Sequence, residues 1–311
     1  MQEKMTYAGQ LDCYNQANEI ISMYLNVEVN AMQVHRVTDT YGSLLEQEVM
    51  ADQTTEDAID VKPGECIYAM VDGSMLLTRE DKWSEAKLGR IFKSGDNMNI
   101  SEERRWIKHS FYEAYLGSCN IFTRRFEQKL DCYQYLNEDL IFITDGAVWI
   151  KNWIQDAYPN ATQVLDYFHA CEHLCGFAKE YFKEEQQRYD WVEVQKKLLY
   201  ESQVERVISN IKTLQTKQKK IKKTKEALLQ YYEGNKDRMD YKRYKTKGVG
   251  LIGSGAIESA HRTVIQKRMK QSGQRWSRKR AQNMLTLRCT RLNGKWNRVI
   301  QLICSPQAKA A

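Results

Sequence analysis

The chain has no apolar run approaching the roughly 20 residues that cross a bilayer as a helix, so no membrane partner is expected. Its opening, MQEKMTYAGQ, lacks the apolar core of a signal peptide, and a cytoplasmic location is therefore expected. Proline is scarce, three in 311 residues. Two of the three punctuate the chain: Pro63-Gly64 closes a candidate linker and Pro159 stops a candidate helix. The eight cysteines stand singly apart from Cys171 and Cys175, which argues for reduced thiols against a disulfide framework. His169, Cys171, His173 and Cys175 alternate at a spacing that matches no common structural zinc pattern, so zinc is disfavoured there.

What the chain has is charge, unevenly placed. Lys and Arg number 47 against 40 Asp and Glu, a net +7, in a composition that is 42% hydrophobic and 28% charged. That balance suits a folded globular chain of one large or two ordinary domains. Residues 45–60 are acidic (Glu46, Glu48, Asp52, Glu56, Asp57, Asp60), whereas 212–247 and 262–298 are basic. Clustered positive charge favours a polyanion, most often nucleic acid, although a solvated helix face has the same composition.

Taken in order, residues 10–50 carry apolar positions at helical intervals, with Asn30 as a candidate N-cap. Two short helices joined by a polar turn would suit either a helix-turn-helix DNA reader or an ordinary helical pair. The acidic stretch to Asp60 then reads as a linker. CIYAMVDG (66–73) is a continuous apolar strand ending in Asp72-Gly73, and SMLLTRE and SEAKLGRIF follow as separate strands of an antiparallel meander. SFYEAYLG (110–117) fits a strand end or a loop, and CNIFTRRFEQKLDCY fits a helix. LIFITDG (140–146) is a second buried strand ending in Asp-Gly, an amphipathic helix runs on to Pro159, and VLDYFH leads a third strand into a helix. Strand and helix alternate, which predicts an α/β sheet with parallel members. Residues 171–247 show helical spacing only. The predicted organisation is a helical region 1–60, a core 61–170, an all-helical insertion 171–247 and a return to the core over 248–311.

The last segment carries the chemistry. GVGLIGSGAIESAHRTVIQKRMKQSGQRWS (248–277) opens with a glycine cluster and continues as a helix whose apolar face holds Ile257, Val264, Ile265 and Met269. Glu258 lies in its first turn, ahead of crowded cations. Glu258 could serve only the helix dipole and an i,i+4 pair with Arg262, and each Asp-Gly could be a simple turn. Two aspartates at the ends of buried strands and an off-pattern glutamate are less simply explained so. Neighbouring strands lie about 4.8 Å apart, so Asp72 and Asp145 could share a cation, with Glu258 as a third ligand. An all-carboxylate set suits hard cations, two Mg²⁺ or Mn²⁺ ions serving phosphodiester chemistry.

The order VDGSM, WSEAKLG, ITDGA, DYFH and GSGAIES with RMKQSGQRWS resembles the bacterial insertion-sequence DDE transposases of the Kra type, related to the Mutator-like group. The likeness spans roughly residues 60–300. It implies an α/β RNase H-like core, a mixed five-stranded sheet flanked by helices, with the all-helical insertion placed before the last catalytic helix. It implies Asp72, Asp145 and Glu258 as the metal-binding triad, and Asp166 and His169 as the Asp-x-x-His pair that shapes the site. Arg262, Lys267, Arg268, Lys270, Arg275 and Arg278 would hold the backbone of double-stranded DNA, at element ends and target, and Trp276 would stack on a base; a packed Trp276 and a buried Asp-bonded His169 remain alternatives. A homodimer or larger assembly on DNA, in a bacterial cytoplasm and on the nucleoid when acting, is the implied working form. Family members carry more sequence ahead of the core than the 60 residues here, which would shorten the end-recognition module. An RNase H-like nuclease without strand transfer, or a catalytically silent DNA-binding relative, are the alternatives.

Overall fold

In the computed structural model, residues 1–51, 58–100, 105–135 and 139–305 are described. The centre is a five-stranded sheet of β1 (Ile67–Thr78), β2 (Lys82–Lys93), β3 (Phe111–Leu116), β4 (Leu140–Thr144) and β5 (Thr162–Leu165), in spatial order β3-β2-β1-β4-β5. β1, β2 and β3 pair antiparallel, while β4 and β5 run parallel to β1, so the sheet is mixed. Ile67–Val71 and Leu140–Thr144 are buried throughout, as strands covered on both faces must be.

The expected break after residue 73 is absent. VDG and SMLLT form one strand, with Asp72 opposite Leu88 and Gly73 opposite Lys87 in the ladder with β2. A turn is not needed there because Gly73 stays extended and its missing side chain leaves room for Glu85; a Cβ would come within 2.2 Å of Glu85 Oε1. SFYEAYLG is a full strand, β3.

Each face of the sheet is closed by helices. On one side α4 (Cys119–Leu130) and α5 (Val148–Ala157) set Phe122, Phe126, Ile150 and Ile154 against Ile67, Ala69, Val71 and Phe142. On the other, Tyr68, Met70, Ile141 and Ile143 meet Leu174 of α6 (Tyr167–Tyr181), Ile257 of α11 (Gly255–Ala260), Val264 and Leu285 of α13 (Arg278–Leu292). Burying side chains of this size contributes about 1.5–3 kcal/mol each. The insertion is helical throughout, with α7 (Glu185–Tyr200), α8 (Val204–Thr213), α9 (Lys219–Asn235) and the short α10 (Tyr241–Tyr244). Its seam of Val207, Ile208, Ile211, Leu228 and Tyr232 continues into the sheet core through Leu174 and Phe177. Between α11 and α12 (Lys267–Met269) the helix makes a π-helical turn over His261–Gln266.

The N-terminal region holds α1 (Gln2–Leu11) and then, over residues 10–50, the expected pair of helices joined by a polar turn, α2 (Tyr14–Leu25) and α3 (Ala31–Ala51), the second of them long at 21 residues. Asn30 caps α3 as predicted, its Oδ1 accepting from Gln33 N–H at 2.8 Å while Gln33 Oε1 accepts from Asn30 N–H at 2.9 Å. The acidic residues up to Ala51 belong to this helix and not to a linker, because core arginines draw them in: Glu46 pairs with Arg125 at 2.9 Å and Glu48 with Arg298 of α14 (Asn297–Cys304) at 2.7 Å. Asp52, Glu56 and Asp57 lie outside the described residues. Leu45 and Tyr41 of α3 pack on Leu287 and Val299, so these helices sit directly on the core. No helix among the described residues is long and apolar enough to cross a membrane.

Candidate active site

β1 and β4 are adjacent and parallel, with Val71 opposite Thr144. The next residue of each is an aspartate, so the register sets Asp72 beside Asp145. Asp72 accepts from the Gly73 N–H at 2.7 Å through Oδ1, and its Oδ2 stands 3.0 Å from His261 Nε2. β4 ends at Thr144, and Asp145 Oδ1 accepts from Ala147 N–H at 3.0 Å, where α5 begins. Gly146 is required: a Cβ there would lie 2.3 Å from the Tyr231 ring.

Electrostatically, Asp145 is short of positive charge. Burial raises its carboxyl above the ordinary range and the Asp72 charge adds to this; the Ala147 N–H, His169 and Arg238 oppose it. Arg238 is itself buried, which lowers its pKa, and it is held by Thr144 Oγ1 and Asn235 Oδ1.

Asp166 follows β5 and is buried. Its Oδ1 caps α6 by accepting from the Phe168 N–H at 2.7 Å and the His169 N–H at 3.2 Å. Its Oδ2 accepts from the Ser254 N–H at 3.0 Å and from the Ser254 hydroxyl. Asp166 therefore ties the glycine-rich loop, and α11 after it, to the sheet edge. Arg90 of β2 holds α11 from the other side, donating to the Ala256 carbonyl at 2.6 Å. These two anchors place Glu258, whose side chain is exposed.

The outcome is a single cleft of about 150 Å³ whose walls include Asp72, Asp145, Asp166, His169, Glu172 and Glu258. All three sequence-predicted acids and both site-shaping residues line it. His169 Nδ1 stands 3.4 Å from Glu172 and its Nε2 lies 3.2 Å from His173 Nε2, whose ring packs on Tyr231. Burial lowers the His173 pKa, with His169 adding to the effect. The donors are carboxylate oxygens, the chemistry that hard divalent cations take. Among the described residues, no three His, Cys, Asp or Glu side chains stand together as a ready cation site.

His261 escaped the sequence reading. It is 4% exposed, and its Nδ1 has no hydrogen-bond partner. The 3.0 Å approach of its Nε2 to Asp72 has ion-pair length but is poorly directed for a hydrogen bond. Its position four after Ile257 and three before Val264 places it on the buried face of the helix, and that was the available signal.

The basic set divides. Arg268 and Trp276, expected to touch DNA, are interior residues at 1% and 8% exposure. Arg268 falls on the apolar face with Val264 and Ile265, its guanidinium between the Tyr14 and Trp276 rings at 4.9 and 5.0 Å and its Nε donating to the Gly9 carbonyl at 2.9 Å. Trp276 gives its indole N–H to the Met269 carbonyl at 3.1 Å. Arg268 holds the N-terminal helices to the core, and its guanidinium covers a face of the Trp276 ring on which a base would have to stack. Lys270 donates to Ser74 Oγ at 2.6 Å, and its pKa is lowered by burial while Asp72 raises it. Arg278 pairs with Asp81 at 2.9 Å. Arg262, Lys267 and Arg275 are exposed.

A family model described as Uncharacterised protein family (UPF0236) matches residues 11–303, and the chain belongs to that family. No curated protein matches the chain.

Proposed function

We propose that the protein is a DDE-type DNA transposase built on an RNase H-like core. The observation that carries this is the meeting of Asp72, Asp145 and Glu258, from three distant segments, in one cleft beside the adjacent parallel strands β1 and β4. The five strands and their mixed directions suit such a core, and the helical insertion between Asp145 and Glu258 falls where the resemblance implies one. The family assignment sits beside this without adding an activity.

The three carboxylates would hold Mg²⁺ or Mn²⁺, two ions, which when bound activate the attacking oxygen and stabilise the leaving one. The chain's own part is positional. Asp72 is fixed in mid-strand and backed by His261. Asp166 and Arg90 fix α11. Lys270, beside Ser74 on the face of β1 that bears Asp72, supplies positive charge where a DNA phosphate would lie. Water would cut one strand at an element end, and the freed 3′-hydroxyl would then attack a target phosphodiester in line. Such transposases act as homodimers or larger assemblies on paired ends, and that form is proposed here.

The test is a cleavage and strand-transfer assay on paired element ends, taken from the inverted repeats in the DNA flanking the gene. Asp72→Ala, Asp145→Ala and Glu258→Ala are expected to abolish both activities and retain most DNA binding. Mg²⁺-dependent cleavage by Asp145→Ala overturns the assignment. Cleavage without transfer would identify a nuclease, and salt-sensitive DNA binding without any cleavage a silent relative.

A further inference from the structure

A second cleft, of about 520 Å³, opens where the N-terminal helices meet the loop that leads into α13. Arg79, Arg268, Arg275, Arg280, His35 and Ser277 line it, and among the described residues no carboxylate does. Arg268 is the decisive member. It is 1% exposed, and its Nη2 has no hydrogen-bond partner. An unsatisfied buried guanidinium N–H costs about 1–3 kcal/mol or more, and an anion in the cleft would satisfy it. The nearest carboxylates are already engaged. Asp39 pairs with Arg280 at 3.1 Å and accepts from Asn283, while Asp12 accepts from the Cys13 N–H and from Gln271. Arg79 and Arg275 are exposed and have no ion-pair partner among the described residues. Ser277 caps α13, a 15-residue helix, by accepting from the Arg280 N–H, and the Arg278 N–H already donates to the Glu80 carboxylate at 3.2 Å, so the cleft's appeal to an anion rests on its arginines and not on this helix end. Burial lowers the pKa of His35, Arg280 pushes the same way and Asp39 opposes it.

We infer that this cleft is a phosphate site, occupied by the backbone of a nucleic-acid strand. Its position supports that occupant. The loop joins β1 directly: Trp276 N–H donates to the Leu77 carbonyl at 3.1 Å, and Arg79 N–H to the Trp276 carbonyl at 2.9 Å. Arg79 is thus seven residues along from Asp72, about 23 Å at 3.3 Å per residue. That span matches about seven nucleotides at 3.4 Å each. Lys270, bonded to Ser74, lies along the way. The phosphate site stands on the cleft alone; the seven-nucleotide spacing rests on the catalytic reading given above.

The test uses the full chain and the double variant Arg79→Ala, Arg275→Ala, both at exposed positions outside the catalytic cleft. Duplex DNA affinity is measured across a salt series, with inorganic phosphate as the small-molecule probe. The expected result is weaker binding, a salt slope shallower by about 1–2 (about 0.9 per lost contact), and displacement of DNA by phosphate that the variant loses. Ethylation of the phosphate about seven nucleotides from the cleaved bond should interfere with parent binding only. A phosphate-induced rise in melting temperature, lost in the variant while DNA binding is unchanged, would overturn the nucleic-acid occupant in favour of a free phosphate compound. Unchanged slope, affinity and phosphate response would overturn the site itself. All of these are binding readouts, so a protein that fails to cleave still gives a clear answer.

Discussion

Asp145→Asn should make the metal-free protein more stable. Burial and the Asp72 charge raise the Asp145 pKa, so its charged form is less welcome in the fold than in the unfolded chain. The sign follows: native stability falls as pH rises from the unfolded carboxyl value of about 3.9 through the raised folded value, and stays reduced above it. Asparagine removes that penalty and keeps the Oδ1 that accepts from Ala147 N–H. Relief of about 1 kcal/mol is typical of such a change. Unfolding entropy of about 2.1 cal/mol/K per residue, over 311 residues, gives roughly 0.65 kcal/mol/K, so the melting temperature should rise about 1.5 °C at pH 7. The gain should shrink as pH falls toward 4. Mg²⁺ at about ten times its dissociation constant should raise the parent by about 1.4 kcal/mol, or about 2 °C, and should leave the variant almost unmoved. Calorimetry with and without Mg²⁺, at pH 4.5 and 7, reads all four cases. A variant that melts below the parent at pH 7 with the same Mg²⁺ response would refute the reasoning.

Ser254→Ala removes one donor to Asp166 and should cost about 1 kcal/mol in melting, and it should raise the Mg²⁺ concentration for half-maximal cleavage more than it lowers the maximal rate. His261→Leu should likewise raise the Mg²⁺ requirement, with His261→Gln recovering part of it; equal behaviour of the two would remove His261 as a support of Asp72. Gly89→Ala would bring a Cβ within 2.2 Å of the Phe126 ring and should destabilise by about 1–3 kcal/mol in a denaturant titration, since that ring is packed on all sides.

Much of the architecture was legible because the buried strands announce themselves. Ile67–Val71 and residues 140–143 are unbroken apolar runs that suit doubly covered strands, and the helical spacing of 171–247 left no room for a strand. Glycine misled at residue 73, where Asp-Gly marks a close approach of Glu85 and not a turn, whereas at residue 146 the same dipeptide does end a strand. Local sequence does not separate the two, because the difference lies in what the neighbouring strand presents. Arginine misled at 268: charge suggested a surface, yet the side chain lies on the apolar stripe with aromatic partners from residues 14 and 276. His261 was overlooked for the converse reason, a polar residue on a stripe counted only for its aliphatic members.

The two kinds of support beneath the acids differ in stiffness. Asp72 is clamped in a ladder that continues on both sides of it, and Asp145, one residue past the end of β4, accepts from the Ala147 N–H. Glu258 rides a six-residue helix between a glycine-rich loop and a π-helical turn, held from Asp166 and Arg90 by side-chain contacts and not by a strand ladder. The molecule is thus a vice with one jaw bolted down. Tightening around a guest would come most easily from the glutamate's side, where two side-chain contacts, and no ladder, have to yield.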